Sequence, residues 1–144
     1  MTTPSPAIAY VSRRYRFAAS HRLYTAELSD AQNRAIYGKC AGDNGHGHNY
    51  QIVVTIAGPV DPLTGMVVNL DALDALVRDR ILRRYDHRYL NLDVEDYVDL
   101  VPTGENIVRH IWSLLRDALP AGRLSKVRLV ETRDNSFEYQ GEAA

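Results

Sequence analysis

Apolar and polar positions alternate along residues 10–21, with Tyr15, Phe17 and Ala19 on one side and Arg14, Arg16 and Ala18 on the other. Period two predicts a strand with one buried face. By parity His21 joins that face at the strand's end, where a lone histidine reads first as a hydrogen-bonded structural residue. His48–Ala57, rich in β-branched and aromatic residues, predicts a second strand. Gly58–Pro59 ends it, and the turn residues Asp61–Gly65 lead to a short apolar return at Met66–Asn69, together a predicted hairpin. Leu73, Leu76, Val77 and Ile81 recur at helical spacing and predict a helix from Asp71 to about Arg84. A second helix is predicted from its cap at Thr103 to a stop at Pro120, with Ile107, Ile111, Leu114, Leu115 and Ala118 as its apolar stripe. His110 lies within it and is assigned no chemistry. Lys126–Thr132 alternates again, with Glu131 on the side of Val127 and Leu129, and Ser136–Tyr139 returns after a turn.

Residues 24–45 form a long connection in which Ser29–Asp30 is a candidate cap for a short helix through Ile36. Residues 1–9 read as a flexible tail and residues 10–144 as a single domain. Strands in hairpins with two consecutive helices give an α+β class, a four-stranded antiparallel sheet with two helices layered on one face. Such a sheet has two edges, and oligomerisation is one way to cover them.

A chain of 144 residues and 16.2 kDa suffices for one ordinary core. With a net charge of −1 nothing suggests a general nucleic-acid surface, so no nucleic-acid partner is expected and an anionic ligand would need a local basic cluster. No apolar run approaches the ~20 residues of a membrane span, and no signal peptide is expected from the first nine residues. One cysteine cannot form an internal disulfide, which points to a reducing cytoplasm.

The chemistry concentrates in Cys40–Tyr50, which holds the sole cysteine and two of the five histidines. His46 and His48 are two apart, so an extended backbone points both imidazoles to one face. Beside a free thiol they suggest a metal site with a reactive group next to it. A Gly-rich turn with solvated histidines is the alternative. Asp86–His87 follows the first long helix, either as a working pair or as exposed loop residues. Glu131, on a buried face, needs a partner or a ligand.

Taken together, Ser20–His21–Arg22–Leu23, Gly38–Lys39–Cys40, Asn44–Tyr50, Asp61–Met66, Asp86–His87, Thr103–x–Glu105–Asn106 and Glu131–Thr132 resemble the 6-pyruvoyltetrahydropterin synthases in order and spacing, over about residue 15 to the C-terminus. The resemblance implies a tunnelling (T-) fold, in which subunits join their sheets into a barrel and barrels stack as a homohexamer, a dimer of trimers with active sites at subunit interfaces. It implies Zn²⁺ held by His21, His46 and His48, a three-histidine set of the catalytic kind. It casts Cys40 as the proton-abstracting base, Asp86 and His87 as a relay, and Glu131 as the pterin anchor, with Thr103 and Glu105 also substrate-binding. The implied substrate is 7,8-dihydroneopterin triphosphate, which loses carbon-bound protons and triphosphate to give 6-pyruvoyltetrahydropterin. Arg13, Arg14, Arg16, Arg22 and Arg88 are candidates for a triphosphate rim.

Five residues separate Cys40 from His46, as in the biopterin-pathway enzymes. The related 6-carboxytetrahydropterin synthases of queuosine biosynthesis usually have three; they act on the same substrate and release acetaldehyde. The pyruvoyl activity is therefore preferred, and the carboxy activity is the alternative. Tyr85 and Gly104 depart from the pattern, where Leu and a hydroxyl residue are usual. A non-catalytic zinc- or pterin-binding module is a further reading, which the intact Cys40, Asp86, His87 and Glu131 argue against.

Overall fold

Strand β1 (Ile8–His21) pairs antiparallel along its whole length with β2 (His46–Pro59), in a computed structural model that describes residues 7–142. Phe17, Ala19 and His21 are buried while Arg14 and Arg16 are exposed, as the alternation predicts. The same side of β2 buries Tyr50, Ile52, Val54 and Ile56. Strand β3 (Arg88–Tyr89) runs parallel to β1 at Ala19 and Ser20. Strand β4 (Arg123–Val130) lies on the far side of β2, with a register shift at Thr55/Ile56, and β5 (Ser136–Tyr139) flanks it. The sheet order is β3-β1-β2-β4-β5. β1, β2, β4 and β5 make up the expected four antiparallel strands, while the further segment read as a strand, Met66–Asn69, is not one of them; β3 is a fifth, too short to show alternation in the sequence.

Two expectations need correction. Met66–Asn69 forms no strand, because both edges of β2 are already paired, by β1 and β4. Instead Asp61 closes a tight loop, its backbone N–H donating to the Met66 carbonyl and its Oδ1 accepting from Leu63 N. The tail boundary at residue 9 is also displaced, since Ile8 and Ala9 pair with Pro59 and Gly58. Residues 1–6 of that expected tail lie outside the described residues.

Helix α1 (Asp30–Tyr37) starts at the expected place through a capping box: Ser29 Oγ accepts from Gln32 N and Gln32 Oε1 from Ser29 N. A 3-10 turn, Gly38–Ala41, follows and carries Cys40. Helix α2 (Leu70–Val77) begins one residue earlier than predicted because Asn69 caps it. It runs through a π turn (Arg78–Leu82) into α3 (Arg83–Tyr85). Leu73, Val77, Ile81 and Tyr85 of this run are fully buried. Helix α4 (Leu90–Asp93) is a single turn. Helix α5 (Gly104–Leu115) is capped by Thr103, as predicted, and ends short of Ala118. Its Ile107, Val108, Ile111 and Leu115 join the first helical run and one sheet face in a single core with Phe17, Tyr50, Ile52 and Leu129. The histidine ends of β1 and β2 sit at the rim of that core.

Candidate metal and substrate site

Strand register assembles the histidines. His21 lies directly opposite His46 and Ala19 opposite His48, so His48 is the diagonal neighbour of His21 on the same face. One donor atom from each ring falls within 4.8 Å of the other two, and this is the group that could hold a metal ion among the described residues. His21 Nε2 stands 3.1 Å from His46 Nε2.

His21 is fully buried, and its Nδ1 lies 2.7 Å from the Pro102 carbonyl. A carbonyl only accepts, so Nδ1 carries the proton and the Nε2 lone pair is left facing His46. Burial pulls His21 down to about 4; the Pro102 bond opposes this, and the charges of His46 and His48 add to it. Burial likewise lowers His46, helped by His48 and opposed by Glu131, and burial alone lowers His48. Three neutral imidazoles at neutral pH are what a divalent cation requires. His48 Nε2 is buried with no hydrogen-bond partner. It has Glu131 Oε1 at 3.4 Å, outside hydrogen-bond geometry.

The loop that offers Pro102 is itself anchored. Asn106 Nδ2 donates to the Val101 carbonyl at 2.9 Å, and Thr103 Oγ1 accepts from Asn106 N at 3.2 Å. Thr103 and Asn106 thus fix the carbonyl that orients His21, an indirect support for a ligand. Glu105 stands in the first turn of α5. Burial raises the Glu131 carboxyl; the charge of Glu105 adds to the rise and His46 opposes it. Glu131 therefore stands beside the histidine cluster and feels the charge of Glu105.

Asp86 and His87 form a pair, Oδ1 to Nδ1 at 3.1 Å. Asp86 Oδ1 also accepts from Ala18 N, and His87 N donates to Ala18 O, which pins the pair against β1. His87 has φ 61°, the one positive φ outside glycine among the described residues; this aims its side chain outward, 82% exposed. A cleft of about 540 Å³ is lined by both His48 and His87, with Ser20, Asn49 and Asp93. Cys40 is half-buried on its 3-10 turn, which Leu23 N binds through the Cys40 carbonyl at 2.8 Å. Its sulfur is not among the clustered donor atoms.

Pro102 carries no sequence signal of its role, because a backbone carbonyl has no residue-type signature, and Asn106 reads in its motif as a residue of the helix start. Gly104 has a packing reason. A Cβ there would lie 2.1 Å from two ring atoms of Phe137, so the aromatic ring fills the space a larger residue would take.

Residues 10–142 match the family model described as 6-pyruvoyl tetrahydropterin synthase. The chain is 49% identical over 134 residues to the 6-pyruvoyl tetrahydrobiopterin synthase of Pongo abelii, covering 93% of this chain and 92% of that one. The solved structure of the Caenorhabditis elegans 6-pyruvoyl tetrahydropterin synthase superposes with a TM-score of 0.92 at 38% identity, over 97% of this chain and all of that one. A putative 6-carboxy-5,6,7,8-tetrahydropterin synthase of Archaeoglobus fulgidus is more distant, 34% identical over 95 residues, 66% of this chain and 75% of that one.

Proposed function

The chain belongs to the 6-pyruvoyl tetrahydropterin synthase family, and we propose that its three clustered histidines hold a zinc ion at the centre of a lyase site. It is an enzyme of that type, with the α+β T-fold, converting 7,8-dihydroneopterin triphosphate to 6-pyruvoyltetrahydropterin and triphosphate. The carboxy alternative is not favoured: the Archaeoglobus fulgidus relative named for that activity aligns over less of the chain and at lower identity.

One observation carries the zinc assignment: three imidazole donors within 4.8 Å, one held in the ligating tautomer by Pro102 and another buried without a partner. Nitrogen donors of this number suit a borderline-soft dication. When bound, zinc supplies Lewis-acid stabilisation of the negative charge that develops on the substrate's side chain. The remaining work falls to the chain. Cys40 takes the carbon-bound proton whose loss accompanies triphosphate departure. His87, oriented by Asp86 at 3.1 Å and exposed toward the cleft it shares with His48, relays protons between side-chain positions. Glu131 accepts from the pterin's amino and ring N–H groups. Glu105 adds negative charge there, and Thr103 keeps the α5 end in place. The outer flank of β1, which beyond Ala19 and Ser20 has no strand partner among the described residues, supports barrel closure with other copies into the homohexamer, and the single cysteine supports a cytoplasmic setting.

The deciding experiment incubates the purified protein with 7,8-dihydroneopterin triphosphate and identifies the product, alongside metal analysis of wild type and His46→Ala. 6-Pyruvoyltetrahydropterin, about one zinc per subunit and loss of zinc in the variant are expected. The carboxy product with acetaldehyde would replace the activity, and stoichiometric zinc retained by His46→Ala would remove the ligand assignment.

A further inference from the structure

Arg22 follows the proposed ligand His21 directly, and both its backbone and one side of its guanidinium are engaged. Its backbone is gripped at both ends by one side chain: Asn91 Oδ1 accepts from Arg22 N at 2.7 Å, and Asn91 Nδ2 donates to Arg22 O at 2.8 Å. Its guanidinium reaches back to the turn that carries Cys40. Nε donates to the Ala41 carbonyl at 2.9 Å, Nη2 meets Asp43 Oδ1 at 3.1 Å, and the guanidinium carbon sits 3.9 Å over the Tyr24 ring. Leu23 N binds the Cys40 carbonyl alongside.

We propose that Arg22 is a positioning residue that locks the Cys40 turn to the His21 end of β1, and is not part of the triphosphate rim. A phosphate contact uses the open fork of a guanidinium. Here the Nε edge, one terminal nitrogen and one face are occupied. Asn91, in α4 four residues after His87, ties the same clamp to the chain segment that follows the Asp86–His87 pair. Three sequence-distant parts of the site are thereby fixed relative to one another. The inference rests on the reading of Cys40 as the base and adds what holds that base in register with the histidines.

Cys40 is the only thiol, so its alkylation by iodoacetamide reports the turn without reference to turnover. In Arg22→Gln, zinc content and KM for 7,8-dihydroneopterin triphosphate should stay within about 2-fold of wild type. Its kcat should fall about 10- to 100-fold, the scale of a ~1 Å misplacement, and alkylation should accelerate at least several-fold. A raised KM with unchanged kcat and unchanged alkylation would make Arg22 a phosphate contact and overturn the proposal, as would loss of zinc with unchanged alkylation. If Arg22→Gln does not fold, Tyr24→Leu and Asp43→Asn each release one guanidinium contact, and wild-type alkylation rates in both would also overturn it. A wild type without turnover would defeat the functional reading, while the alkylation rates still decide the clamp.

Discussion

Gly104 and Phe137 share what is nearly one volume. Introducing Thr at 104 sets a Cβ 2.1 Å from the Phe137 ring carbons, and overpacking of this kind costs about 1–3 kcal/mol. Gly104→Thr should therefore destabilise the protein, and Gly104→Thr with Phe137→Val should recover most of the loss. Urea denaturation of the four proteins in a double-mutant cycle checks this, and strictly additive effects would mean the two positions do not compete for space. The pair also shows where sequence reading stops at this scale. Position 104 reads as a missing hydroxyl because the family resemblance casts its neighbours in the motif as substrate-binding, whereas its constraint comes from a strand 33 positions later. His46 and His48 were legible from their spacing of two. His21 was placed on the correct face by parity, but its partnership with them depends on the pairing register of β1 and β2, which no local pattern encodes.

Among the elements, the segment after α4 is held by charge. Asp96, in a 3-10 turn (Glu95–Tyr97), takes Arg84 Nη1 at 2.5 Å and lies 3.1 Å from His110 Nε2, bringing α3 and α5 together. Burial pushes its carboxyl up, but Arg84 and His110 outweigh this and hold it below the ordinary value. A depressed carboxyl contributes stability that is complete above the unfolded value and disappears as the pH falls through the folded one. Asp96→Asn should lose about 1–2 kcal/mol at neutral pH, allowing for partial exposure. The gap from wild type should close in acid; urea titrations at neutral and acidic pH measure it, and a gap that persists in acid would mean that the loss is packing. His110, which the periodic pattern marked only as part of a helix, thus has a structural partner. The elements with strong periodicity were legible, and the misread hairpin at Met66–Asn69 was not, because apolar content there serves the approach to α2 rather than pairing. Two residues of β3 have no period to read.

For the molecule as a whole, the α+β class and the helical layer on one sheet face followed from element order. Sheet order did not, since β4 reaching β2 rather than a neighbour in sequence is a long-range choice. That choice leaves β1 as the outer strand over most of its length: beyond Ala19 and Ser20, no strand pairs with its far side among the described residues, and Ile8 and Tyr10 on it are 52% and 62% exposed. Were this flank covered by a second copy, folding and association would be linked by mass action. The melting temperature should then climb with protein concentration across roughly a hundredfold range, followed by scanning calorimetry alongside light scattering. A constant melting temperature in a monomeric sample would rule that out. In that case dilution would act as a denaturant, and how much of the chain a cell makes would become part of how well each molecule survives.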